Sequence, residues 1–497
     1  MAPPAPPLLS PSAIRRATAR AAGALATRQV LSQALHGAGA VALANILSVE
    51  EFGIYAIVVM AWSVLYLVSD VGLGAALVRQ PHEPEIDDYR SVFTAQQLFV
   101  AAAIAVAWTM APALASAYDR SDDVALVIRL AALALLPASL QTVPSIRLER
   151  HLQFDRLAVI EVGQALIFNA AAVGLALAGF GAAVSLGFAL LARTMTGAIL
   201  AHAAAPWPAG WRLSWPRLRR HLAFGVPFQG IALVALGKDA FIPVAVGVLA
   251  GEAAVGMLTW ASWVGRAPVL PLFMMQRVYL PAFSRMLDHR EQLGGFIGNV
   301  LFAANAAVAP AAAVVLVFAH RLPELVFGQQ WEAAVPLVLP YWIAMLPLAS
   351  AFPLFGLLGA LGHARHAFAL AAAQAAIMWS VGTALTLAFG PMGAACAAIA
   401  AAPAIAAAIP VARRTVAFDV APAVAAPWVA AGAAALAMHL LHSRWPAASV
   451  VSLTAWALTT FGAYAAVLAL LAPRRTRTML GLLAQMAPAR RRHGRAS

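Results

Sequence analysis

Five basic side chains stand where the sequence is otherwise too apolar to hold a charge: Arg28, His36, Arg193, Lys238 and Arg266. An unpaired charge in hydrocarbon costs several kcal/mol or more, so each is expected to face water, a carboxylate or a bound anion. Arg28, Ser32 and His36 recur at i, i+4 and i+8 with Gln29 and Gln33 beside them, which gives an apolar helix one polar face. Thr259, Ser262, Trp263 and Arg266 form a second such face. Arg266 is the strongest single candidate for an oxyanion contact, because a planar guanidinium bonds two oxygens at once; an internal salt bridge is the rival reading. Lys238, the only lysine, adjoins Asp239 in a stretch dense in helix breakers (Gly225, Pro227, Gly230, Gly237, Pro243, Gly247), which predicts a bent or hinged helix. Adjacent helical residues point about 100° apart, so the two need not pair with each other. Asp239 either carries a proton, since burial raises a carboxyl pKa, or neutralises Arg266 or Lys238; neutralisation is the favoured reading. Asp70, one turn from Tyr66, caps a helix break before Gly72 and Gly74 or moves with it. Glu161, Gln164 and Asn169 make a further polar stripe, and Arg129 is expected to snorkel outward.

Chemistry of other kinds finds no residues at the right spacing. Paired carboxylates, a Gly-rich phosphate loop and a nucleophile triad are missing, so no catalytic residue and no enzymatic activity is expected. His363 and His366 have i, i+3 spacing without an acidic partner, and Cys396 is the lone cysteine; neither metal nor cofactor is expected.

The elements that must position these residues follow from composition. Of 497 residues, 62% are hydrophobic and 11% charged, against about 25% charged in soluble domains. That excludes a soluble globular protein. At about 20 apolar residues per spanning helix, the chain supplies about fourteen. Charged and Gly/Pro-rich breaks place them at 28–48, 54–78, 92–117, 125–146, 157–179, 181–202, 223–249, 254–275, 294–319, 334–358, 366–389, 391–411, 424–441 and 449–472. The fold class expected is an all-α polytopic membrane protein of two pseudo-symmetric six-helix bundles plus two C-terminal helices. With the N-terminus cytoplasmic, 26 of the 33 basic residues fall in cytoplasmic segments, and only Arg120, Arg321 and Arg444 fall outside. This bias is the positive-inside signal, with both termini cytoplasmic, and it removes the basic excess as an argument for nucleic-acid binding. The organisation expected is a tail at 1–27, a first bundle at 28–202, a linker at 203–222, a second bundle at 223–411, two further helices in 424–472 and a basic tail at 473–497. The alternating Trp and Arg of the linker predict a segment along the inner leaflet, and the tail's arginines suit anionic membrane lipid.

The chain repeats itself. Leu47–Tyr55, LSVEEFGIY, and Leu249–Met257, LAGEAAVGM, each join a helix end to a Glu, a Gly and a new apolar helix that finishes near Arg79 or Arg277. With the run DVGLGAALVR at 70–79, the first segment resembles the opening of the bacterial polysaccharide transporter (oligosaccharide flippase) family of the multidrug/oligosaccharidyl-lipid/polysaccharide (MOP) superfamily. Phe224–Pro227, Asp239–Ile242 and Pro281–Arg285 are similar to the family's second half, and the likeness covers about residues 25–290. It implies an inner-membrane flippase moving lipid-linked oligosaccharide on undecaprenyl diphosphate through a cavity between two bundles. On that reading Arg28, His36, Arg193, Lys238 and Arg266 are expected to bind substrate, Asp70 and Asp239 to couple or gate, and Arg79 and Arg277 to form a cytoplasmic gate. Glycosyltransferase and polymerase partners and a monomeric state are expected. The alternatives are a multidrug exporter or lipid II flippase of the same superfamily, and, behind these, a membrane-embedded polymerase or ligase.

Overall fold

A computed structural model describes residues 32–80, 82–287, 289–477 and 479. Among these residues every regular element is a helix, and eleven helices are long and apolar enough to cross a membrane. In hydrocarbon only helices and closed barrels satisfy their own backbone groups, so an apolar chain of this composition folds this way. The protein is thus an all-α multi-pass membrane protein.

Two of the eleven contain more than one expected span. Ala232–Phe273 runs through Gly251 (φ 78°, ψ 173°), and Arg365–Arg413 runs through Gly390 (φ 59°, ψ −140°). Glycine occupies both bends because other residues are strained there. Element ends differ from expectation where the polar flanks are themselves helical. The helix expected from residue 223 begins at Trp215, with Pro216 in its first turn, and the one expected from 92 begins at Ile86.

The compact structure divides into two units between Thr259 and Trp260. The first holds α1 (32–46), α2 (Val49–Asp70), α3 (Leu73–Arg79), α4 (Ile86–Ala115), α5 (Ser121–Leu133), α6 (Leu135–Leu140), α7 (Thr142–Arg150), α8 (Phe154–Leu177), α9 (Ala182–Ala204), α10 (Trp215–Asp239) and most of α11 (Gly247–Arg266). Its core joins Leu43, Ile54, Val127, Phe168, Ala172 and Leu186, so α1, α2, α5, α8 and α9 share one interior. Ser48 and Glu51 form a capping box at the start of α2, with the Glu51 N–H donating to Ser48 Oγ (3.2 Å) and the Ser48 N–H to Glu51 Oε2 (3.0 Å).

The second unit continues with α12 (Leu270–Met286), α13 (Arg290–Phe318), α14 (Val335–Ala360), α15 (Ala364–Ala406), α16 (Ala408–Arg413), α17 (Ala421–His442) and α18 (Val450–Leu471). Ala306, Ala309, Ala430, Ala431 and Ala434 are buried between α13 and α17, where small side chains let the backbones approach. One polar knot crosses this interior. Fully buried Asn305 donates to the Leu301 carbonyl (2.8 Å) and Ser350 Oγ (3.0 Å), and accepts from Trp428 Nε1 (2.8 Å). Tyr464 on α18 donates to the Ala306 carbonyl (3.1 Å), so both C-terminal helices are tied to α13.

Candidate functional site

In the first unit Arg193 is a charge embedded in a spanning helix. It sits on α9 with its guanidinium 5.9 Å from the Phe168 ring centroid, within electrostatic reach of Tyr55, Tyr66 and Glu161. His36 on α1 also feels its charge. The structure therefore brings together two of the predicted site residues. Arg193 forms no ion pair and no hydrogen bond among the described residues. A cation in a spanning helix with no direct ion pair is suited to hold a transient anion.

Around the break between α6 and α7 the unit is polar. Gln164 donates to Gln141 Oε1 (2.9 Å), Gln96 to Thr142 Oγ1 (3.0 Å) and Gln97 to Ser139 Oγ (3.0 Å). Gly197 on α9 makes room for this arrangement, since a Cβ there would lie 1.9 Å from Gln164 Nε2 and 2.1 Å from Gln141 Oε1. Gln164 belongs to a stripe visible in the sequence. Its partner is 23 residues away, and the sequence carries no signal for that pairing beyond the glutamines themselves.

Asp70 caps the break between α2 and α3. Its Oδ2 accepts from the Gly72 N–H (3.2 Å) and from Gln229 Nε2 on α10 (3.1 Å). Val71 and Gly72 both have left-handed backbones (φ 48° and 72°), which turns the chain. Gly72 meets Gly225 so closely that a Cβ on it would lie 2.5 Å from the Gly225 carbonyl oxygen. Beside this crossing lies a cavity of ≈ 460 Å³ lined by Tyr66, Asp70, Gln141, Thr142, Ser145 and Glu149 among others.

The charged rim is an ion-pair network. Arg217 at the start of α10 contacts Glu85 (2.8 Å) and Asp88 (3.0 Å), Arg212 contacts Asp87 (2.8 Å), and the hydrogen bonds that Arg217 donates to Glu85 and Asp88 hold its guanidinium above its usual pKa. Arg150 donates from Nη1 to the carbonyls of Leu77 (2.7 Å), Val78 (3.2 Å) and Gln80 (3.0 Å), and from Nη2 to that of His82 (2.8 Å). It thus caps the end of α3. The Trp/Arg linker divides between two environments: Trp207 is buried with its ring 5.4 Å from that of Phe93, whereas Trp211 and Trp215 are exposed. Trp207 is therefore a core residue rather than an interfacial one, because segment 206–210 folds back onto α4 and α7; Arg90 and Arg147 bond the carbonyls of Pro208 (3.3 Å) and Pro206 (2.6 Å).

At the other end of the first unit the sequence repeat becomes a contact. A Cβ on Gly53 would lie 2.1 Å from the Glu252 carbonyl oxygen, and one on Gly256 would lie 2.0 Å from that of Val49. The contacts cross between the two copies, 53 with 252 and 256 with 49. The buried Glu252 side chain accepts from the Arg120 N–H (3.1 Å), and Tyr118 donates to the Pro243 carbonyl (2.9 Å).

Lys238 and Asp239 pair with each other. Of the two partners expected for Asp239, Lys238 is the one it meets, at the point where α10 ends and the backbone widens into a π-helical turn, Phe241–Val246. In the second unit Arg266 ends α11. Its Nε donates to the Ser262 carbonyl and its Nη2 to Ser262 Oγ, both at 3.3 Å, and the guanidinium lies 5.9 Å from the Tyr341 ring centroid. A neutral hydroxyl and an aromatic face orient this cation without cancelling its charge. Arg79 is the last residue of α3 and Arg277 lies within α12; Arg28 lies outside the described residues. Arg129 stands 5.6 Å from the Trp108 ring centroid.

Comparison with known proteins follows from this geometry. The family described as "Polysaccharide biosynthesis protein" matches residues 42–336. No curated protein matches the chain in sequence. Among solved structures, the chain is similar to the lipid II flippase MurJ in an inward closed conformation, with a TM-score of 0.73 at 12% identity over 92% of this chain and 99% of that one. It is also similar to a multidrug resistance MATE family transporter of the MOP superfamily in an inward-facing conformation, with a TM-score of 0.56 at 14% identity over 78% of this chain and 94% of that one. These likenesses show the fold.

Proposed function

Because the chain belongs to the polysaccharide biosynthesis protein family, we propose that it is a flippase that carries a lipid-linked oligosaccharide, on undecaprenyl diphosphate, across the bacterial cytoplasmic membrane by alternating access. Its fold, shared with transporters of the MOP superfamily, supports transport over catalysis. The observation that carries the substrate reading is Arg193, a charge without an ion pair or hydrogen bond among the described residues, in a spanning helix beside His36. A diphosphate crossing hydrocarbon needs such a cation, and a guanidinium offers two parallel hydrogen bonds to its oxygens. Arg266 serves in the same way from the second unit, oriented by Ser262 and Tyr341. Lys238, neutralised by Asp239, is a weaker contact.

Fourteen spans with both termini cytoplasmic, a monomeric state, contact of the basic tail with anionic lipid, and glycosyltransferases and a polymerase acting before and after it complete the reading. Arg193→Ala and Arg266→Ala are each expected to lower surface polysaccharide about tenfold to a hundredfold, the loss of one charge-assisted bond of about 1.5–3 kcal/mol. Protein level in the membrane is expected to stay unchanged. Wild-type polysaccharide in both variants would overturn the diphosphate assignment. A lipid II flippase is the second reading, favoured by the similarity to MurJ over nearly the whole chain; rescue of a strain lacking lipid II export would select it.

A further inference from the structure

We propose that the cavity beside Asp70 is a binding site for a neutral, hydroxyl-rich saccharide, separate from the cationic residues assigned to the diphosphate. The inference rests on the flippase reading for its biological meaning but not for its test. The cavity, ≈ 460 Å³, falls within the range of about 300–1,000 Å³ usual for small-molecule sites. Its polar lining is Tyr66, Asp70, Gln141, Thr142, Ser145 and Glu149, and among the described residues no basic side chain lines it.

Several of these groups have no partner among the described residues. Asp70 uses Oδ2 for Gly72 and Gln229, while Oδ1 accepts nothing among the described residues. Gln141 accepts from Gln164 through its carbonyl oxygen, which leaves its amide N–H groups unused among the described residues. Ser145 Oγ, the Tyr66 hydroxyl and the Glu149 carboxylate are likewise unpartnered among the described residues. These groups open onto one cavity at the ends of their helices, where they are free to bond water or a ligand.

The chemistry of the set selects the ligand. Two carboxylates accept from paired hydroxyls, an amide and two hydroxyls donate as well as accept, and the Tyr66 ring supplies a flat apolar surface. Trp62 backs that ring at 5.5 Å between centroids. Vicinal hydroxyls on a ring with an apolar face match this lining. A phosphate or uronate would meet two carboxylates with no basic side chain among the described lining residues, Arg193 acting only at longer range through Tyr66, and is disfavoured.

The test is saturation-transfer NMR on the full chain in lipid nanodiscs, with methyl cellobioside as the neutral probe, cellobiouronic acid as its carboxylate counterpart and tetraphenylphosphonium as a lipophilic cation. Methyl cellobioside is expected to bind, with cellobiouronic acid at least about tenfold weaker. Ser145→Leu, which fills the cavity, is expected to raise the Kd for methyl cellobioside about tenfold or more. Glu149→Gln, at an exposed position without an ion pair among the described residues, is expected to narrow the gap between neutral and acidic sugar; a merely structural residue would not move that ratio. Saccharide binding no stronger than to empty nanodiscs, binding unchanged in Ser145→Leu with an unchanged gap in Glu149→Gln, or preferential binding of tetraphenylphosphonium lost in Glu149→Gln would each overturn the proposal, the last in favour of a cation site. Saccharide binding retained in Arg193→Ala while export is lost separates the two sites. Normal polysaccharide in a strain deleted for the chain sinks the flippase reading and leaves the binding result standing.

Discussion

At the residue scale, the side chains that matter most are those whose neighbours leave them no alternative. Asn305 is fully buried and serves Leu301, Ser350 and Trp428 at once. Asn305→Ala would leave the Trp428 N–H and the Ser350 hydroxyl without this partner, at a cost of about 1–3 kcal/mol per buried group. The variant is expected to show a lower Tm in detergent, and Trp428→Phe, which removes only one donor, a smaller drop. An unchanged Tm in Asn305→Ala would mean that water replaces the amide. Arg150 is the comparable case in the first unit, because it holds the carbonyls at the end of α3. Its role was not legible as anything beyond a cytoplasmic positive charge, since what it bonds is backbone, and backbone carbonyls carry no residue type.

Elements meet where glycine permits. Gly53 and Gly256 bring the start of α2 against α11 in two equivalent contacts, with Cβ positions 2.1 and 2.0 Å from opposing carbonyl oxygens. Gly256→Ala is expected to force the helices apart and to cut the yield of monodisperse protein severely, as read by size-exclusion chromatography. Gly174→Ala, with open space at its Cβ, is expected to fold normally and to gain up to about 1 kcal/mol of helix propensity. Equal yields from the two variants would show that the α2/α11 contact relaxes. The repeat was readable as a pattern of Glu and Gly at 47–55 and 249–257. That its two copies touch was not, because internal similarity says that two segments are alike and leaves open whether they meet.

For the whole molecule, the distribution of arginines makes an orientation testable. In a Cys396→Ala background, Arg444→Cys is expected to react with a membrane-impermeant maleimide in intact cells, and Arg414→Cys only after permeabilisation. Both side chains are exposed, so access and not burial sets the outcome. Labelling of Arg414→Cys from outside would invert the topology and the direction of transport with it. At this scale the hydrophobic count alone indicated a many-helix membrane protein, and the family and fold comparisons agree.

Membrane residence, helical class, most helix positions and the family were determined by the sequence alone, because hydropathy, breaker residues and motif spacing are local properties read within 10 to 20 residues. The embedded arginines were legible for the same reason, as charges in apolar runs. Which of them form a direct ion pair was decided only by the tertiary structure: Lys238 turned to Asp239, whereas the Arg193 guanidinium lies near the Phe168 ring. The cavity is likewise a tertiary product. Asp70 and Gln229 are 159 residues apart, and the polar groups facing the cavity come from α2, α7 and the break between α6 and α7. Each is unremarkable in its own helix, and they acquire a common chemistry only because small residues at Gly72, Gly197 and Gly225 let the helices close to backbone distance.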